Sequence, residues 1–327
     1  MSVAARVSGY VLLLVVVGLL ATGLGRAVGP IDAAASDEPE HMAAGTGGTE
    51  GMEMPSEPGP QRAPDNLPGG LLSSQSGYTL QPSASVLEAD AGAMVEFRVL
   101  GPDGRPVESF TQSHEKSLHL IAVRRDMASY QHVHPIRDRQ GVWRAPLDLS
   151  KAGEYRLIAD FVPAATGDPV TLGTDLSVAG EYAPRPLPPP SRTARVGDYT
   201  VTLDGRLVPG EESALKLSVS RDGRPVTDLQ PYLGAYGHLV VLRDGDLAYL
   251  HVHPAGEPGD GTTRPGPGVT FFATTPSTGT YRLFLDFRHR GTVRTAEFTV
   301  ATEGVTEGVT DGATDGASGH GSDGHGH

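Results

Sequence analysis

The sequence contains no cysteine. That absence excludes a disulfide framework, thiolate zinc and iron–sulfur sites, a blue-copper centre and any cysteine nucleophile. Aromatic residues are scarce at 6%, while Gly and Pro are abundant at 43 and 27 residues. No segment after residue 30 shows sustained helical periodicity. Together these features argue against a helical bundle and for β-structure with many turns. Basic residues are also few, 26 Lys+Arg against 39 Asp+Glu, giving a net charge of −13. A nucleic-acid binder needs a basic stripe to neutralise phosphates, so that class is set aside. Neither HExxH nor G-x-S-x-G occurs, which weakens any reading as a hydrolase.

The acidity is localised. Six acidic residues (Asp37, Glu38, Glu40, Glu50, Glu53, Glu57) and five more (Glu303, Glu307, Asp311, Asp315, Asp323) lie in two low-complexity stretches without Lys or Arg. The remaining chain is nearly neutral. An acidic tether over 31–69 and a tail over 302–327 are expected to be disordered, because too few apolar groups offset chain entropy. The tail carries His320, His325 and His327, accessory candidates for loose metal capture. Between Arg6 and Arg26 lie 19 uncharged residues, so 1–30 is read as a transmembrane signal-anchor or a signal peptide. Either places the bulk of the chain on the extracytoplasmic side, tethered to the cell membrane by one span or secreted after cleavage.

The central chain repeats itself. GPDGRPV, His119 and Gln131-His132-Val133-His134-Pro135 recur 119 residues later as SRDGRPV, His238 and Leu250-His251-Val252-His253-Pro254. Glu154-Tyr-Arg-Leu-Ile-Ala-Asp-Phe161 recurs as Thr280-Tyr-Arg-Leu-Phe-Leu-Asp-Phe287. Two homologous domains follow, 70–182 and 193–301, joined by a stiff Pro-rich linker over 183–192. Alternating stretches such as Met94–Leu100 and Ala214–Ser220 run into Asp-Gly turns. About seven short strands per copy suit an all-β protein of two tandem Ig-like β-sandwiches, with a small barrel as the alternative.

Each copy places one His before a His-x-His pair. The intervening segment reads as a β-hairpin. A four-residue loop at 125–128 sets His119 opposite His134, and an Asp244-Gly245 turn sets His238 opposite His251. His-x-His presents both imidazoles on one face of a strand, and an opposed partner shares that face. Three imidazoles then converge on one ion at bond lengths near 2.0–2.1 Å. The expectation is two metal sites, His119/His132/His134 and His238/His251/His253. The alternative is architectural, since the same face carries Ile121, Val123 and Tyr130 and would then look into the core. Asp160 and Asp286 recur inside apolar strands and are candidates to orient a ligand through its second ring nitrogen. His114 is an accessory candidate in the first copy alone, Arg124 and Arg243 read as outward-facing hairpin charges, and His289 as a surface residue.

At KSLHLIAVRRDMASYQHVHP and GAYGHLVVLRDGDLAYLHVHP the chain resembles exported actinobacterial-type proteins with a membrane segment and tandem Ig-like domains, loosely similar to CopC/YtkA-type copper-associated sandwiches. The resemblance implies an extracytoplasmic copper protein acting in buffering, resistance or delivery. By ligand type alone copper and zinc are both candidates, and the Irving–Williams order favours Cu(II). Two other readings stand beside it: a structural Ig-like adhesion or assembly module with architectural histidines, and a zinc hydrolase with an open coordination position.

Overall fold

A computed structural model describes residues 67–302, apart from residue 251. The membrane or signal segment, most of the acidic tether, the tail with His320, His325 and His327, and His251 lie outside the described residues. Among the described residues no helix is long and apolar enough to cross a membrane.

The first domain comprises β1 (Ser74–Gln75), β2 (Tyr78–Pro82), β3 (Val86–Glu88), β4 (Ala93–Leu100), β5 (Phe110–Thr111), β6 (Leu118–Arg124), β7 (Tyr130–Val133), β8 (Ile136–Arg137), β9 (Trp143–Leu147), β10 (Gly153–Pro163) and β11 (Val170–Ala179). One sheet has the order β1-β2-β4-β9-β8; the facing sheet runs β3-β11-β10-β6-β7, with β5 on β10. The second domain repeats this with β12 (Thr193–Val196), β13 (Tyr199–Asp204), β14 (Glu212–Arg221), β15 (Arg224–Pro225), β16 (His238–Arg243), β17 (Tyr249–Leu250), β18 (Val252–Pro254), β19 (Gly268–Thr274), β20 (Thr280–His289) and β21 (Thr292–Ala301). Its sheets are β12-β13-β14-β19-β18, with β15 on β14, and β17-β16-β20-β21. Each domain is therefore an Ig-like β-sandwich.

Alternation along β4 and β14 turns Val95, Phe97 and Val99, and Leu215, Leu217 and Val219, into the two domain cores. The strands β6, β10, β16 and β20 are buried on both faces. Leu118, Leu120 and Ala122 of β6 enter the first core, while Leu239 and Val241 of β16 enter the second. Along the middle of these strands the opposite faces do not meet solvent. Ile121, Val123 and Ile158 of the first domain pack with Val240, Leu242 and Phe284 of the second in a third cluster, between the domains. Tyr130 lies flat on Phe284, with ring centroids 3.8 Å apart and planes 5° from parallel. The histidine-bearing face thus looks neither into its own core nor into water, but onto the other domain.

Three further contacts hold the pair together. Gly69 accepts a hydrogen bond from the Tyr249 N–H at 2.9 Å, tying the start of the first domain to β17. That segment crosses β11 so closely that a Cβ on Gly173 would sit 1.8 Å from the Gly70 carbonyl oxygen, which only glycine permits. In the linker, Leu187 packs against the interdomain cluster, and the Arg185 N–H donates to Asp126 at 2.8 Å.

Both hairpin loops have four residues. Arg124 pairs with Ser129 and Arg243 with Ala248, so 125–128 matches the expectation and 244–247 replaces the expected two-residue Asp244-Gly245 turn. The physical reason lies in the loop's own bonds. Arg243 grips Asp246, whose carboxylate also accepts the Ala248 N–H, and Leu247 closes the loop in left-handed backbone with its side chain buried. Arg124 does the same work on Asp126 at 2.9 and 2.7 Å and is itself buried rather than outward-facing.

Candidate metal centre

The β6–β7 register pairs Ile121 with His132 and Leu120 with Val133. One step further sets His119 opposite His134, and the period-two alternation brings His119, His132 and His134 to one face. Their ligand nitrogens all lie within 4.8 Å of one another. His119 Nδ1 is 3.1 Å from His132 Nε2 and 3.2 Å from His134 Nε2. Four-coordinate bonding at 2.0–2.1 Å separates neighbouring donor atoms by about 3.3 Å, so the spacing fits a single ion.

The remaining ring nitrogens decide which atoms carry lone pairs. His119 donates its Nε2–H to the Ser113 carbonyl at 3.0 Å, leaving Nδ1 as the lone-pair nitrogen. His132 donates its Nδ1–H to Asp286 Oδ2 at 2.9 Å, leaving Nε2 as the lone-pair nitrogen. Those two bare nitrogens face each other at 3.1 Å. His134 can donate a proton to one of them, but the contact between His119 and His132 has none to share. A positive charge between them, a shared proton or a metal ion, would relieve it.

Burial, reinforced by neighbouring imidazoles, lowers the basicity of these groups. His132 and His134 fall to about 3, and His119 and His238 also move down from the ordinary value. Asp286 moves the other way, up to about 6, through burial opposed by its bond from Thr295. The site therefore presents neutral imidazoles backed by a carboxylate. Neutral imidazole is the form that binds a metal.

Asp286 belongs to the second domain. It sits opposite His238 in the β16–β20 register, yet its carboxylate takes the first domain's His132, with Thr295 Oγ1 donating to its other oxygen at 2.6 Å. Asp160, its counterpart, sits opposite His119 but accepts from Thr171 at 2.6 Å, while His119 turns to Ser113. The repeat would match Asp160 with His251, outside the described residues.

Of the second expected triad only His238 and His253 are described, His251 lying outside the described residues. His119, His132 and His134 are the only such group among the described residues. After Leu250 the chain leaves the first sheet, and β18 pairs instead with β19, setting Val252 across from Ala273. Val252 enters the domain core and His253 is left exposed. In the first domain the corresponding switch comes later, after Val133, so His134 stays with its partners. His238 itself turns to the first domain's cluster, its ring centroid 4.7 Å from His132, 5.4 Å from His119 and 5.5 Å from half-buried His114. His289 is not a surface residue either. It is buried, bonded through Nδ1 to the Tyr199 hydroxyl at 2.8 Å and through Nε2 to Asp228 at 3.0 Å.

Fold and site define a tandem pair of Ig-like sandwiches docked through their histidine-bearing sheets. A family model described as a domain of unknown function (DUF8832) matches twice, over residues 73–179 and 194–304, and the chain belongs to that family. No curated protein matches. Among solved structures, the Escherichia coli adhesin FdeC is 16% identical, with a TM-score of 0.24 over 71% of this chain and 65% of that one. The adhesin InvE of Yersinia pseudotuberculosis is 14% identical, with 0.21 over 71% and 60%. A putative membrane-anchored protein of Corynebacterium diphtheriae is 11% identical, with 0.20 over 69% and 59%. The chain thus spans less than two thirds of each of these structures. At such scores nothing about function passes from them to this chain, and no similarity to CopC-type proteins is among these findings.

Proposed function

We propose that this protein binds a transition-metal ion, copper first and zinc as the other candidate, at His119, His132 and His134, and serves in extracytoplasmic metal buffering or delivery. The observation that carries the reading is the pair of bare nitrogens on His119 and His132, held 3.1 Å apart by hydrogen bonds that fix both rings from behind. A buried cluster of lone pairs is costly without a positive charge between them. Asp286 supports the reading as the carboxylate that fixes the His132 tautomer and raises its donor strength. The uncharged segment between Arg6 and Arg26 supports export and tethering at a membrane.

A second reading, a structural Ig-like adhesion or assembly module, is favoured by where the histidines lie. They edge the interface formed by Ile121, Val123, Val240 and Phe284, where side chains can serve docking alone. One titration separates the two. Cu(II) and Zn(II) are titrated into protein whose three tail histidines are replaced by Ala, with and without His132→Ala. Metal binding requires saturable uptake that His132→Ala abolishes; the structural module predicts no saturable uptake in either protein.

A further inference from the structure

We propose that His238 of the second domain is a fourth ligand to the same ion, so that metal occupancy locks the two domains together. This rests on the metal reading of the His119 cluster. Four imidazoles around one tetrahedral ion hold their ring centroids about 5.2 Å apart, given bonds of 2.0–2.1 Å. Within the first domain the spacings are 5.3 Å for His119–His132 and 4.9 Å for both His119–His134 and His132–His134. His238 stands on the His119–His132 edge, 4.7 Å from His132 and 5.4 Å from His119; its nitrogens lie outside the group of donors within 4.8 Å of one another, so its ring must swing inward to reach the ion.

The fold explains its position. His238 opens β16 and shares a rung with Asp286 on β20. Both side chains project from the second domain's outer face, alongside Val240 and Phe284 of the interdomain cluster. Asp286 engages His132 from behind, and its rung neighbour His238 lies against the His119–His132 side of the triad. The duplication therefore spends its two equivalent histidines, His119 and His238, on one shared site. Three ligands come from one domain; the fourth ligand and the carboxylate come from the other. An ion held this way adds a bridge between two bodies already joined by apolar packing, the linker and the Gly69–Tyr249 and His132–Asp286 bonds, and it stabilises their docked arrangement by mass action.

The test uses full-length protein with the tail histidines replaced by Ala, loaded with Co(II), whose visible spectrum reports coordination number, and titrated with Zn(II). Wild-type spacing predicts a four-coordinate Co(II) spectrum. His238→Ala and the ring-conserving His238→Phe are each expected to weaken Zn(II) binding at least about tenfold, since even groups behind a ligand are worth that much. They should also shrink the metal-induced rise in melting temperature. The metal-free melting curves of the variants show whether they fold. Binding that requires His132 but keeps wild-type affinity and spectrum in both folded His238 variants overturns this inference alone. No saturable binding by the parent protein overturns the metal reading itself.

Discussion

Replacing Asp286 with Asn changes one atom and should disable the site. Asp286 is 3% exposed, with one oxygen bonded by Thr295 at 2.6 Å and the other by His132 Nδ1 at 2.9 Å. Asn keeps the shape and can retain the Thr295 bond through its carbonyl oxygen. It then presents an NH₂ donor to His132 Nδ1, which is itself a donor. The simplest relief moves the imidazole proton from Nδ1 to Nε2, the nitrogen that faces His119 at 3.1 Å. A protonated Nε2 cannot ligate. Loss of such an orienting carboxylate costs about ten- to a hundredfold in metal affinity, or about 1.4–2.8 kcal/mol. Metal-free stability should hold or rise at neutral pH. The carboxyl of Asp286 is pushed up to about 6 by burial, so its contribution favours the fold at low pH and is lost as pH rises through 6. The neutral amide removes that loss. Calorimetric Zn(II) titration and metal-free thermal melts at pH 7 measure the two effects. Wild-type affinity in a folded Asp286→Asn variant would refute the reasoning, because it would mean that the His132 tautomer is not set from the second domain.

Other outcomes follow from the same geometry. Phe284→Ala removes a fully buried ring stacked on Tyr130 and should cost about 3–5 kcal/mol, read as lowered denaturant midpoint. Tyr130→Phe should be neutral or stabilising by up to about 1 kcal/mol in the same measurement, because the buried Tyr130 hydroxyl has no hydrogen-bond partner among the described residues. His132 and His134 have basicities lowered to about 3, so their contribution is present above the unfolded value near 6.5 and is lost as pH falls toward 3. Metal-free melting temperature should accordingly decline on acidification below pH 6.5, with Asp286 opposing the decline between about 4 and 6. A melting temperature that rises steadily from pH 6 to 4 would contradict the assignment. His253→Ala, on an exposed position of β18, should leave Zn(II) affinity unchanged.

The repeat, the strands and the register of the first hairpin are legible in the sequence, because each rests on local spacing: period-two alternation, loop length and the 119-residue offset. The docking of the domains is not local, yet it left a trace. Leu118–Arg124 and Thr280–Phe287 do not alternate; they are apolar almost throughout, as strands covered on both faces are. That pattern points to a third buried layer, and with it to His238 and Asp286 facing another domain. The second hairpin departs from its expected register for a different reason. Asp-Gly signals a two-residue turn, but the Arg243–Asp246 bond closes a four-residue loop, and β17 ends before His253 can follow His134's example. Where a strand changes sheet depends on the packing of Val252 into the core, which spacing alone does not reveal.

Two domains that share a single ion make a sharp stoichiometric prediction. Its most direct test is metal stoichiometry at saturation in the full-length protein lacking the tail histidines, measured by elemental analysis after equilibrium dialysis against Zn(II) or Cu(II). One ion per chain is expected, lost with His119→Ala or His132→Ala. Two ions per chain, or none, or one that survives both substitutions, would contradict it.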